Sequence, residues 1–128
     1  MPKLELGVII LEVRVVIADD SLFMRIYIKN LLKNSKYKVI GEASDGCEAV
    51  TIYKELKPDI LLLDLTMECM DGMTALQRIM EFDPCARVVI CSAMGQSRNV
   101  IAALSYGAKD FIVKPNFDRI LLTLNKIS

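Results

Sequence analysis

A chain of 128 residues, 53% hydrophobic and 25% charged, fits one globular domain with its own core. Formal net charge is zero and no run of Lys or Arg occurs, which excludes general affinity for nucleic acid or anionic membranes. The absence of histidine removes the commonest general base and the commonest zinc ligand.

Residues 1–12, "MPKLELGVIILE", stand apart from the pattern that follows. An extra strand, an oligomer contact, or a misassigned or engineered start would each account for them. The apolar run "GVIILEVRVVIA" is broken by Glu12 and Arg14, so it is too short and too charged to span a bilayer. It has no basic lead-in and no small-residue cleavage site, so no signal peptide is expected and the cytoplasm is the expected compartment.

From Val13 two patterns alternate. Strand-length apolar runs fall at Val13–Ala18, Lys38–Gly41, Asp59–Leu63, Arg87–Cys91 and Lys109–Val113. Between them apolar residues recur three and four apart. Leu22, Ile26 and Leu31 mark a first helix, and Ala49, Tyr53 and Leu56 a second. Met73, Leu76 and Met80 mark a third, Val100 and Leu104 a fourth, and Ile120, Leu121 and Leu124 a fifth. "KPD" at Lys57–Asp59 and Pro84 stop helices, and Gly107 suits a left-handed helix end. Five strands alternating with five helices imply an α/β fold, a doubly wound parallel sheet covered on both faces. The more mixed "YKVIGEA" suits an edge strand, and the last helix is expected to reach almost to Ser128, leaving no room for a second domain.

Cys47, Cys69, Cys85 and Cys91 form no C-x-x-C pair and are expected as small core residues of a reducing compartment.

Ligands of an open parallel sheet bind beyond the carboxyl ends of its strands. The first strand ends in Asp19 and Asp20, the third in Asp64, the fourth in Ser92 and the fifth in Lys114. Each has an ordinary explanation alone. Asp20 or Ser21 could cap the first helix, Ser92 could sit in a turn, and Lys114 could be a solvated lysine. Asp64 resists such a reading, because it follows "ILLL" directly. Gathered at one edge, three carboxylates repel one another unless a cation lies among them. Oxygen donors without His or Cys suit a hard ion, Mg²⁺ above all. An aspartate beside Mg²⁺ and a lysine is placed to attack phosphorus and become an aspartyl phosphate.

The segments "IADDSLFMR", "GEASDGCEAV", "LLLDLTMECMDG", "VVICSAMGQ" and "GAKDFIVKP" resemble, in order and spacing, the receiver domains of two-component response regulators. Within these the chain is most similar to the single-domain chemotaxis regulators. The resemblance covers about residues 13–128, with 1–12 as an extension. It implies the flavodoxin-like strand order 2-1-3-4-5 in a three-layer sandwich. It implies Asp64 as phosphoacceptor and Asp19, Asp20, Asp64 and the carbonyl of Thr66 as Mg²⁺ ligands. It also implies Ser92, Ala93 and Lys114 around the phosphoryl group, a cis bond from Lys114 to Pro115, and Ser92 and Phe111 as switch residues. A chemotaxis-type histidine kinase is the implied donor, and a flagellar motor switch protein or a phosphatase the implied partner. The face that changes would be the fourth helix, fifth strand and fifth helix. The molecule is expected to be a monomer and a signalling protein rather than an enzyme, catalysing no more than its own phosphorylation and dephosphorylation.

Some positions depart from the family pattern. Glu68 replaces a proline in the loop after Asp64, Phe111 a frequent tyrosine, and Asn116 an apolar residue. Thr66 and Met94 stand where the family tunes phosphate lifetime. A stand-alone receiver in a non-chemotaxis phosphorelay is the alternative. A haloacid-dehalogenase-like phosphatase ranks last, because Thr66 stands where its second acid belongs.

Overall fold

The computed structural model describes residues 2–5, 7–93 and 97–128, with the side chains of 2–5, 8–10 and 97 outside the description. Met94 and Gln96 therefore lie outside the described residues. The first two strands, β1 (Pro2–Glu5) and β2 (Val8–Leu11), pair antiparallel as a hairpin. They form a two-stranded sheet of their own, separate from the main one. Strand structure, one of the readings left open for residues 1–12, is present there.

The main sheet is built from β3 (Val13–Ala18), β4 (Tyr37–Ala43), β5 (Ile60–Leu63), β6 (Val88–Ser92) and β7 (Asp110–Val113). Its order is β4-β3-β5-β6-β7 with all pairs parallel, which is 2-1-3-4-5 when counted from β3. The expected edge position of the mixed strand, β4, is observed. Helices α1 (Leu22–Leu32), α2 (Gly46–Leu56), α3 (Gly72–Phe82) and α4 (Ser97–Ser105) fill the four crossovers, and α5 (Ile120–Ile127) follows β7.

Because side chains alternate along a strand, each central strand feeds two cores. Val16, Ala18, Leu61, Leu63, Val88 and Ile90 face α2, α3 and α4, where Tyr53, Leu76, Ile79 and Ala103 close the layer. Val15, Ile17, Ile60, Leu62, Val89 and Cys91 face α1 and α5, against Ile28, Leu32, Ile120 and Leu124. The buried stripe of α1 differs from the one expected. Leu22 and Ile26 are 58% and 44% exposed, whereas Ile28 and Leu32 are buried. Apolar residues occur all round this helix, so spacing alone did not define its inner face.

The cysteines also depart from expectation. Cys47 and Cys69 are joined by a disulfide across 22 residues of sequence, and Cys85 is exposed. Cys91 alone is the small buried residue foreseen, its thiol pushed up to about 12 by burial. The pair was missed because α2 and the loop before α3 are neighbours in space and not in the text.

Helix starts are written locally. Ser21, Asp45 and Asp71 accept backbone N–H bonds from Met24, Glu48 and Thr74, capping α1, α2 and α3. Gly107 has φ +111° at the end of α4, the left-handed geometry expected there. Gly72 opens α3 against the backbone of Asp64 and Leu65. A Cβ there would meet the Asp64 carbonyl oxygen at 2.0 Å and the Leu65 Cα at 2.5 Å. These are backbone atoms and cannot swing away. Gly72→Ala should therefore lower unfolding free energy by about 1–3 kcal/mol, read from urea midpoints. An unchanged midpoint would mean that the loop yields freely.

Candidate phosphoacceptor site

The site follows from strand register. Ala18 is paired with Leu63, so the next residues, Asp19 and Asp64, leave adjacent strands side by side. Asp64 donates its backbone N–H to the Ala18 carbonyl at 2.9 Å, and Asp19 donates to the Ala43 carbonyl at 2.9 Å. On the far side Ser92 is paired with Val113, and Lys114 follows with its N–H on the Ser92 carbonyl at 2.9 Å. The peptide bond from Lys114 to Pro115 is cis.

The side chains converge as the sequence suggests. Asp19, Asp20 and Asp64 offer carboxylate oxygens that all lie within 4.8 Å of one another. Asp19 and Asp64 are buried and Asp20 is exposed. Lys114 places its ammonium 2.5 Å from Asp19 Oδ2 and 3.5 Å from Asp64 Oδ2. Ser21, not Asp20, caps α1, which leaves the Asp20 carboxylate outside that role. The second Asp19 oxygen, Oδ1, accepts the Ser21 backbone N–H at 2.9 Å. Thr66 directs both its backbone N–H and its hydroxyl to Asp64 Oδ1 at 3.3 Å. Ser92 is fully buried at the end of β6, and Ala93 follows it at an exposed bend. Phe111 is half-buried on β7 and packs against the α2–α3–α4 core.

Burial sets the electrostatics. It pushes the Asp64 carboxyl above its ordinary value, with the Lys114 charge pulling the other way and the Asp19 charge adding to the rise. For Lys114, burial acts downward but is outweighed by the Asp19 hydrogen bond and the Asp64 and Asp19 charges, so the ammonium is held above its ordinary value. Three carboxylates and one ammonium leave the site two negative charges in excess. An all-oxygen donor set with that excess fits a hard divalent ion such as Mg²⁺.

The response regulator receiver domain model matches residues 15–125. The chain belongs to the receiver domain family. Relatives include the chemotaxis protein CheY of Thermotoga maritima, 52% identical over 90% of this chain and 97% of that protein. CheY of Bacillus subtilis is 50% identical over 88% of this chain and 95% of its own length. Among solved structures, a chain of the CheX–CheY–BeF3–Mg²⁺ complex from Borrelia burgdorferi superposes with a TM-score of 0.88 at 40% identity, covering 91% of this chain and 90% of that one. The receiver is thus CheY-like, a signalling domain of the two-component type. Family membership removes the basis for the dehalogenase-like reading. Among the described residues no helix is long and apolar enough to cross a membrane.

The raised Asp64 carboxyl has a consequence for the metal-free receiver. Below the ordinary carboxyl value, near 4, both folded and unfolded chains carry the proton and the site costs nothing. As pH rises through the higher folded-state value, the folded state must ionise a buried group and stability falls. Asp64→Asn should thus be more stable than the parent at pH 7.5 without Mg²⁺, with the gap narrowing at pH 4.5. Urea midpoints at both values test this, and a destabilised Asn variant at pH 7.5 would reverse the assignment.

Proposed function

We propose that this receiver accepts a phosphoryl group on Asp64 from the phosphohistidine of a separate, chemotaxis-type kinase. These 128 residues hold no histidine, so the proposed donor histidine lies outside them. The observation that carries the reading is the Lys114 ammonium in reach of both buried aspartates, beside a third carboxylate. A lone strand-end aspartate needs no such surroundings.

Asp19, Asp20, Asp64 and the Thr66 carbonyl would hold Mg²⁺, which when bound supplies positive charge to phosphoryl oxygens. Asp64 attacks phosphorus with one carboxylate oxygen, and the bond to the donor nitrogen breaks with its electron pair leaving on that nitrogen. Lys114 neutralises charge on the transferred group. The Ser92 hydroxyl donates to it once it is attached, and the small side chain of Ala93 leaves room for it. Thr66 orients the Asp64 carboxylate through its two hydrogen bonds.

Output then follows from a two-state shift. Ser92 moves toward the phosphoryl oxygens and Phe111 turns inward. The face of α4, β7 and α5 presents the new surface to a partner, a flagellar motor switch protein or a phosphatase. A cavity of about 390 Å³ on that face, lined in part by Phe111, Asn116, Arg119 and Lys126, gives such a partner a concave surface. The Borrelia burgdorferi complex joins a CheY to CheX with BeF3 and Mg²⁺ present, which supports a protein partner for this chain. A cytoplasmic monomer, with residues 13–128 as the functional unit and 1–12 as an extension, completes the reading.

Incubation with acetyl phosphate and Mg²⁺ should add one phosphoryl group, followed by intact mass. Chelation of Mg²⁺ should abolish the addition, and Asp64→Asn should reduce it below about a hundredth of the parent rate. Lys114→Met should slow it roughly a hundredfold. Normal labelling of the Asn variant would move the phosphoacceptor elsewhere.

A further inference from the structure

The loop Asp64–Asp71, which joins β5 to α3, carries Thr66 and is not held by strand pairing. Two ties fasten it to the first turn of α2. Gly46 donates its backbone N–H to the Glu68 carbonyl at 3.3 Å, and Cys47 is bonded to Cys69. The fit between loop and helix is close, since a Cβ on Gly46 would meet the Met70 carbonyl oxygen at 1.8 Å. Cys69 itself sits at φ +67°, a conformation that residues with a Cβ seldom adopt. The same loop, through Thr66, Met67 and Glu68, lines a cleft of about 330 Å³ shared with Asp20.

We propose that Cys47 and Cys69 form a reversible thiol–disulfide site that sets how well the phosphorylation loop is ordered, and thereby links the receiver's phosphorylation rate to the oxidation state of its surroundings. This inference rests on Asp64 as phosphoacceptor, with Thr66 beside it. A disulfide within a reducing compartment is characteristically transient or redox-sensing. Cys69 is exposed and Cys47 half-buried, so a thiol in solution reaches Cys69 first. Its thiolate bonds to Cys69 Sγ, and the Cys47–Cys69 bond breaks with the electron pair leaving on Cys47. A second thiolate then attacks the added sulfur and releases Cys69. Two external thiols are oxidised to one disulfide, and Cys47 and Cys69 each end with one of the two protons. A low-molecular-weight disulfide runs the sequence in reverse.

The oxidised form is the faster acceptor. The cross-link restrains the loop at Cys69, next to Glu68 and close in sequence to Thr66. Holding the loop beforehand spares the ordering cost when Mg²⁺ and the phosphodonor arrive, which corresponds to about three- to tenfold in rate.

The test uses the full chain with Cys85→Ser, so that an exposed thiol outside the pair does not react. Oxidised glutathione and dithiothreitol prepare the two forms, with the disulfide verified by mass. Two readings follow: acetyl phosphate labelling of Asp64 with Mg²⁺, and amide exchange of Gly46 and residues 66–70 without it. Faster labelling and slower exchange in the oxidised form support the proposal, as does a Cys47→Ser/Cys69→Ser pair that behaves like the reduced form under both reagents. Failure of the disulfide to form, equal labelling of the two forms, or equal exchange in the loop overturns it. Absence of labelling in both forms, with exchange still dependent on redox state, would instead sink Asp64 as the phosphoacceptor and leave the thiol site standing.

Discussion

The arrangement depends on one ammonium group held between two buried carboxylates. Two unit charges about 4 Å apart interact with roughly 4 kcal/mol at an effective dielectric near 20. Asp19 and Asp64 would repel one another on that scale at the end of an apolar sheet. Lys114 reaches both, so its two attractions outweigh their single repulsion. Asp20 remains exposed beside them with its charge uncompensated. The result is a site that tolerates its own burial but keeps a net negative charge, which is a reason for it to bind a dication rather than to close on itself.

Such a balance requires positions accurate to a fraction of an ångström, and the sheet supplies them. Asp19, Asp64 and Lys114 each follow the last paired residue of a strand, and each backbone N–H is held by a neighbouring strand's carbonyl. Strands β3 and β5 beneath the two aspartates are buried on both faces at these ends and cannot slip by one residue without reversing every side chain. The apolar run that precedes Asp64 is therefore a mounting for the carboxylate. Gly72 completes it by letting α3 begin against the Asp64 carbonyl, where any side chain would press on backbone.

Much of this was legible in the sequence because strand ends are local features. Apolar runs ending in "ADD", "LLLD", "ICS" and "IVK" name the site residues, and parallel α/β topology brings such ends to one edge. What escaped depends on contacts between segments distant in sequence. The inner face of α1 could not be read from "LFMRIYIKNLL", since apolar residues surround that helix and packing into the core shared by the sheet and α5 selects Ile28 and Leu32. The Cys47–Cys69 bond escaped for the same reason. Neither residue lies in a recognisable cysteine pattern, and their closeness arises from the packing of α2 against the loop that enters α3. An extra strand was one of several open readings of residues 1–12, because "MPKLELGVIILE" offers no periodicity that excludes the others, and the pairing of β1 with β2 lies outside the alternating pattern that follows.

The site thus divides into two parts with different mechanical character. Asp19, Asp64, Ser92 and Lys114 belong to the sheet, and unfolding of the core is needed to move their backbone. Thr66 and the residues up to Met70 belong to a loop outside the sheet, tied to the first turn of α2 by a hydrogen bond and a disulfide and resting Met67 and Met70 against the core. Elements whose stability comes from few contacts open at lower cost than the core does. The loop backbone can therefore shift while the sheet-borne backbone beneath Asp19, Asp64 and Lys114 stays in place. Chemistry rests on the rigid half and adjustment on the tethered one, and α2 is the helix to which that loop is tied.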